Sequence, residues 1–165
     1  MLIVFSGLPG TGKTTIARTL ARQLGATYVR VDTIEQALRN GGLADVGKAG
    51  YEVANALARS NLALGHAVVA DCVNPVDESR EAWRSVAEAG QVHLLDVEVV
   101  CTDAAEHRRR VENRELDVPG LRPPSWQSVL DHEYQPWSGE RLQLDTAVLT
   151  PEDAVRMIVG HLHVL

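Results

Sequence analysis

The sequence predicts an α/β fold, a five-stranded parallel sheet with helices on both faces. Three observations carry this. Short apolar runs alternate with amphipathic stretches along the whole chain. The runs are nearly continuous in Val, Ile, Leu and Ala, as strands buried on both faces are. A glycine-rich loop follows the first run and opens the first helix, the order of a strand–loop–helix unit.

The elements follow in turn. Leu2–Phe5 reads as a buried strand. Lys13–Leu24 is helical, with Ile16, Leu20 and Leu24 in one row and Ala17 and Ala21 beside it. Gly25 stands where a helix ends. Thr27–Val31 is a second strand, closed by Asp32. Thr33-Ile34-Glu35-Gln36 fits a capping box for a short helix stopping at Gly41-Gly42. A longer helix, roughly Ala49–Leu64, counts Val53, Leu57 and Leu64 among its apolar positions. His66–Asp71 is a third strand. Asn74-Pro75 reads as an N-cap with proline at the first helical position, for a helix running to about Ala89. Val92–Cys101 is a fourth strand. Thr102 caps a helix bearing His107-Arg108-Arg109-Arg110. Asp117–Pro124, rich in Pro and Gly, is a loop, and Ser125-Trp126 opens a short helix to about Tyr134. Arg141–Thr146 is a fifth strand, and Thr150-Pro151-Glu152-Asp153 starts the last helix.

The 165 residues fit a single domain, 1–165. Sixteen basic against 22 acidic residues leave a formal charge of -6. A protein gripping a long polyanion shows a basic balance, so nucleic acid is not the expected partner. Cys72 and Cys101 end apolar runs and read as reduced core cysteines, and no Cys/His spacing resembles a zinc site. His161 and His163, two apart on a helix, point to different faces. Met1–Gly7 lacks the basic start of a signal peptide. No run reaches the roughly 18 apolar residues of a membrane span. A cytoplasmic protein is expected; the oligomeric state is open.

Gly7-Leu8-Pro9-Gly10-Thr11-Gly12-Lys13-Thr14 matches G-x-x-x-x-G-K-[ST] in full, between an apolar strand and an amphipathic helix. Its glycines let backbone N–H groups turn inward on a phosphate, and the helix N-terminus adds partial positive charge. Leu8, Pro9, Gly10, Thr11, Gly12, Lys13, Thr14 and Thr15 are the expected nucleotide-binding residues. Lys13 brings charge to the β- and γ-phosphates, and the Thr14 hydroxyl is a ligand for Mg2+. The fold expected is that of the P-loop NTPases. In open parallel sheets the ligand sits beyond the carboxyl ends of the strands. Gly7, Asp32 and Asp71 follow strands and should meet at one edge.

No guanine-reading N-K-x-D is present. Asp117-Val118-Pro119-Gly120 imitates a GTPase D-x-x-G, but it follows a helix. The third strand ends Asp71-Cys72, without the glutamate of ring-forming motors. With the phosphate loop at the N-terminus, Asp32 and Asp71 at strand ends, and Arg110 and Arg114 four apart where a lid begins, the chain resembles small-molecule and nucleotide kinases. Adenylate, shikimate, gluconate and adenylylsulfate kinases, chloramphenicol phosphotransferase and zeta-toxin-like kinases are such proteins. Val68–Pro75 also resembles a broad group of bacterial kinase-like AAA-type ATPases.

The resemblance implies an ATP- and Mg2+-dependent kinase acting on a hydroxyl of a small-molecule acceptor. Lys13, Asp32 and Arg114 would be catalytic, with Asp32 as general base; the competing reading of Asp32 is a helix N-cap. Asp71 resembles the Walker-B carboxylate and joins Thr14 at the metal. By the resemblance, Arg110 stacks on adenine and Arg114 reaches the phosphates; the competing reading pairs these arginines with Glu106, Glu112 and Glu115. Residues 115–137 are the expected lid, but they carry no zinc cysteines and look short beside adenylate kinase. The acceptor-side helices span about 33–64, with Asp32, Tyr51, Arg59 and Asn74 as substrate residues and Arg39, Lys48 and Asn55 as further candidates. Trp83, Trp126 and Trp137 fit core or pocket equally, and Asp145-Thr146 falls where related kinases place the adenine loop. Two rival functions stay open: a nucleotide-gated regulatory or binding protein, and a polynucleotide 5′-hydroxyl kinase.

Overall fold

A computed structural model describes residues 1–113, 118–120 and 123–162. Five strands, β1 (Leu2–Ser6), β2 (Thr27–Arg30), β3 (Val68–Asp71), β4 (Leu94–Val100) and β5 (Leu142–Asp145), form one sheet. All pairings are parallel, in the order β2-β3-β1-β4-β5. The helices are α1 (Lys13–Leu24), α2 (Val31–Asn40), α3 (Ala49–Ala63), α4 (Asp77–Ala89), α5 (Ala104–Glu112), α6 (Trp126–Leu130) and α7 (Pro151–Leu162).

Alternation along the strands divides the core. Ile3, Phe5, Val69, Val97 and Leu144 face α1 and α7. Leu2, Val4, Val68 and Ala70 face α3 and α4, where Trp83 is fully buried. Burying each Val, Leu, Ile or Phe side chain among them contributes roughly 1.5–3 kcal/mol relative to exposure. β1 has β3 on one side and β4 on the other, so the strand order reverses around it. The loop leaving β1 therefore opens at the crevice where such sheets take ligands.

Several expected boundaries move. β2 stops at Arg30 and α2 begins at Val31, so Asp32 sits in the first turn of a helix, where a carboxylate meets the positive end of the helix dipole. The capping box at Thr33–Gln36 does not form. Asn74 is not an N-cap: α4 starts at Asp77, and Asn74 is fully buried with φ +50, a conformation asparagine tolerates better than most residues. Asp103, not Thr102, caps α5 by accepting from the amides of Ala105 and Glu106. On α3 the buried row is Gly50, Ala54, Ala58 and Leu62, while Val53, Leu57 and Leu64 are exposed. Small residues four apart let that helix lie close, and closeness outweighed side-chain hydrophobicity.

Candidate active site

The phosphate loop is held by backbone geometry that only glycine accepts. Gly7, Gly10 and Gly12 have φ of 138, 85 and 91. A Cβ on Gly7 would lie 2.2 Å from the Val99 carbonyl oxygen, and one on Gly10 would lie 2.4 Å from Val111 Cγ2. The amide of Gly7 donates to Val73 O (3.0 Å), and the Thr11 hydroxyl donates to Leu8 O (2.9 Å). Lys13 is buried at the start of α1, with Nζ 3.4 Å from Leu8 O. Thr14 is half-buried and Thr15 exposed in the same first turn.

α5 forms a roof over this loop. His107 Nε2 donates to Pro9 O at 2.8 Å, which places the ring proton on that nitrogen. Trp126 of α6 packs edge-on against His107, with ring centroids 5.2 Å apart. Arg110 donates to Glu106 Oε1 (2.7 Å), Thr146 Oγ1 (2.8 Å) and Thr146 O (3.0 Å). Its guanidinium plane is thus set beside Gly12. The Thr146 hydroxyl in turn donates to Thr11 O at 2.7 Å, tying the end of β5 to the loop. Gly12, Thr15, Arg110, Thr146, Leu149 and Pro151 line a cleft of about 210 Å³. Arg108 and Arg109 instead face solvent, paired with Glu112 and Glu106. Arg114 lies outside the described residues, as do Asp117 and His163.

The two aspartates meet through a residue that sequence reasoning missed. Arg30 and Asp71 are register partners on β2 and β3. Arg30 Nη2 donates to Asp32 Oδ2 at 3.3 Å, and its Nε is 3.8 Å from Asp71 Oδ2. The Tyr28 hydroxyl donates to the same Asp71 oxygen at 2.6 Å. Burial pushes the Tyr28 hydroxyl well up, and the Asp71 charge adds to it. The Cys72 thiol is likewise raised by burial, with the Asp71 charge adding and the Lys13 charge opposing. Lys13, Asp71 and Asp32 all act on Cys72, so residues far apart in sequence share one electrostatic neighbourhood. An arginine inside an apolar strand, two positions after Tyr28, was the available signal.

On the acceptor side, the Tyr51 hydroxyl accepts from the Asn74 amide (2.9 Å), and Asn74 Nδ2 donates to Ser6 Oγ (3.0 Å). Burial raises Tyr51, with the charges of Cys72, Glu35 and Asp32 contributing. Burial also raises Glu35, against the pull of Arg39 at 3.2 Å. Lys48 pairs with Glu78 at the rim of a groove of about 370 Å³ that Tyr51 and Asn55 also line. Arg59 does not join this cluster: it is exposed on α3, about 12 Å along the helix from Tyr51.

The expected lid divides. Val118 is buried, and a Cβ on Gly120 would lie 3.1 Å from Gln36 Nε2, so this part overlies α2. Residues 134–137 are tied down instead. Fully buried Arg80 donates to the carbonyls of Asn74, Pro75, Gln135 and Pro136, with its guanidinium 4.2 Å from the Trp137 ring centroid. Prolines flanked by an unforeseen buried arginine account for the difference.

A sequence model of the family described as AAA domain matches residues 2–122. The chain belongs to this family. Its structural neighbours are small-molecule kinases among others. APS kinase CysC of Mycobacterium tuberculosis, solved with AMPPNP and APS, is similar at a TM-score of 0.75 and 19% identity, covering 98% of this chain and 96% of that one. A gluconokinase from Sinorhizobium meliloti 1021 gives 0.65 and 20%, covering 98% and 95%. Chaetomium thermophilum Kti12, solved with ADP-AlF3, gives 0.73 and 19%, covering 99% and 97%. At these identities the likeness establishes the P-loop NTPase-like fold. No curated protein matches the chain. Among the described residues no helix is long and apolar enough to cross a membrane.

Proposed function

We infer that this AAA-domain protein is an ATP- and Mg2+-dependent phosphotransferase that moves the γ-phosphate onto a hydroxyl of a small molecule. The observation that carries the reading is the convergence of Lys13, Asp71 and Asp32 at one sheet edge, with Arg30 between the carboxylates.

The residues fit the nucleotide. The positive φ values of Gly7, Gly10 and Gly12 suit a loop whose amides turn inward on a phosphate, and the close packing of Gly7 on Val99 and Gly10 on Val111 fixes that shape. Arg110 offers a fixed planar face beside the cleft at Thr146, suited to stacking on a base. Thr14 and Asp71 would hold magnesium, an ion that keeps several waters and needs few protein ligands. A metal held by these residues would offset the charge that develops on the transferring phosphate.

Asp32 accepts the proton of the acceptor hydroxyl as its oxygen bonds to the γ-phosphorus. The bond from phosphorus to the β–γ bridging oxygen breaks, and ADP leaves with that electron pair. Lys13 and the loop amides stabilise the charge on the transferring oxygens. Arg114 is assigned to the same phosphates. Tyr51 borders the acceptor space, buried Asn74 holds its hydroxyl from behind, and the segment over α2 excludes water.

The test is transfer of label from γ-³²P-ATP to a panel of sugars, nucleosides, amino alcohols and antibiotics. A labelled phosphomonoester is expected, with Lys13→Ala reducing the rate by at least about 10²–10³-fold. Release of labelled phosphate alone, whatever the acceptor, overturns the reading. That outcome favours a nucleotide-gated ATPase.

A further inference from the structure

Side chains two apart on a strand share a face, so β2 presents Tyr28 and Arg30 together. That face meets Asp71 on the neighbouring strand. The Tyr28 hydroxyl and Arg30 Nε both approach Asp71 Oδ2, at 2.6 and 3.8 Å. Nη2 of the same guanidinium donates to Asp32 Oδ2 at 3.3 Å. The side chains of Arg30 and Asp71 are each 2% exposed, while that of Asp32 is 34% exposed. One planar cation therefore joins a sealed carboxylate at the end of β3 to a partly exposed carboxylate in the first turn of α2.

Two carboxylates sharing one cation repel each other, and the cation between them sets their separation. A guanidinium does this with a rigid fork; an ammonium is a point charge that serves one oxygen at a time. We propose that Arg30 is a positioning residue coupling the metal–nucleotide side of the site, at Asp71, to the acceptor carboxylate, Asp32. Positive charge arriving at Asp71 loosens that carboxylate's hold on the guanidinium, which then engages Asp32 more fully. By reciprocity, the charge on Asp32 alters how favourably the nucleotide–metal pair loads. The proposal rests on the roles given to Asp32 and Asp71 above.

The test needs no acceptor. ADP affinity is measured by calorimetry with and without magnesium chloride, and their ratio is the magnesium enhancement. Four proteins are compared: wild type, Asp32→Asn, Arg30→Lys and the double variant. Asp32→Asn is expected to change the ratio by roughly fivefold when Arg30 is present and by less than about twofold when it is lysine. Each ratio is taken against the metal-free ADP affinity of the same protein, so a change in basal affinity cancels. An equal change in both backgrounds overturns the proposal and leaves Arg30 a structural residue that only lowers the melting temperature. Should Arg30→Lys not fold, Asp32→Asn decides alone: a ratio within about twofold of wild type overturns the coupling. A failed acceptor screen leaves this test standing, and a null ratio leaves phosphotransfer untouched.

Discussion

Gly7 carries the tightest steric demand among the loop residues. Its Cβ would meet backbone, the Val99 carbonyl at 2.2 Å, which cannot swing aside as a side chain can. Gly7→Ala is expected to destabilise the fold by about 2–4 kcal/mol and to abolish ADP binding, read by urea denaturation and calorimetry. A variant of wild-type stability would show that the loop sits differently. Asp96 on β4 gives a pH signature. Burial raises its carboxyl to about 6, partly opposed by Arg84 and Arg80, and Oδ1 is buried without a hydrogen bond. The folded state holds this proton more tightly than the unfolded chain does. Stability from this group is therefore complete below about pH 4 and is lost as pH rises through about 6. Asp96→Asn should gain roughly 1–3 kcal/mol at pH 8 and almost nothing at pH 4. Equal effects at both pH values would refute the buried-charge explanation. The loop residues were legible because their chemistry demands fixed residue types at fixed spacing. Arg30 and Asn74 were not, because a buried polar residue shows its partners only once strands are in register.

At the scale of elements, helix ends were legible to within a few residues, and the causes of the misses are specific. Asp32 moved from a strand end into a helix turn because the helix dipole accepts it there. α3 was read by its large residues, yet it packs through Gly50, Ala54 and Ala58. The segment 134–137 was read as lid, yet Arg80 locks it to the start of α4. Arg80→Met is expected to lower stability by about 3 kcal/mol, because four carbonyls lose their charged donor. Hydrogen exchange at the Gln135 amide, which bonds Pro75 O at 2.8 Å, should speed up while exchange in β1 changes only by the global loss. Unchanged protection at Gln135 would mean that the segment is held by other contacts. Asp32→Asn is expected to keep metal-free ADP affinity within about threefold and to slow transfer by about 10²-fold or more.

At the scale of the molecule, alternation of strand and helix was enough to read a parallel sheet, since a parallel pair needs a crossover. The order β2-β3-β1-β4-β5 was not legible, because strand order depends on which faces bury which helices. That order brings the ends of β1, β2 and β3 side by side and so assembles the site. A nucleotide bound there favours the folded state: at a concentration of 100 times the dissociation constant it adds about 2.7 kcal/mol, and a rise of several degrees in melting temperature is expected. The most direct measurement is titration calorimetry of the purified protein with AMPPNP and magnesium, beside Lys13→Ala. Saturable one-to-one binding in the wild type, weakened at least about tenfold by the substitution, is the predicted result. Absence of heat with AMPPNP, ADP and ATP alike, from a folded wild-type protein, would contradict the account.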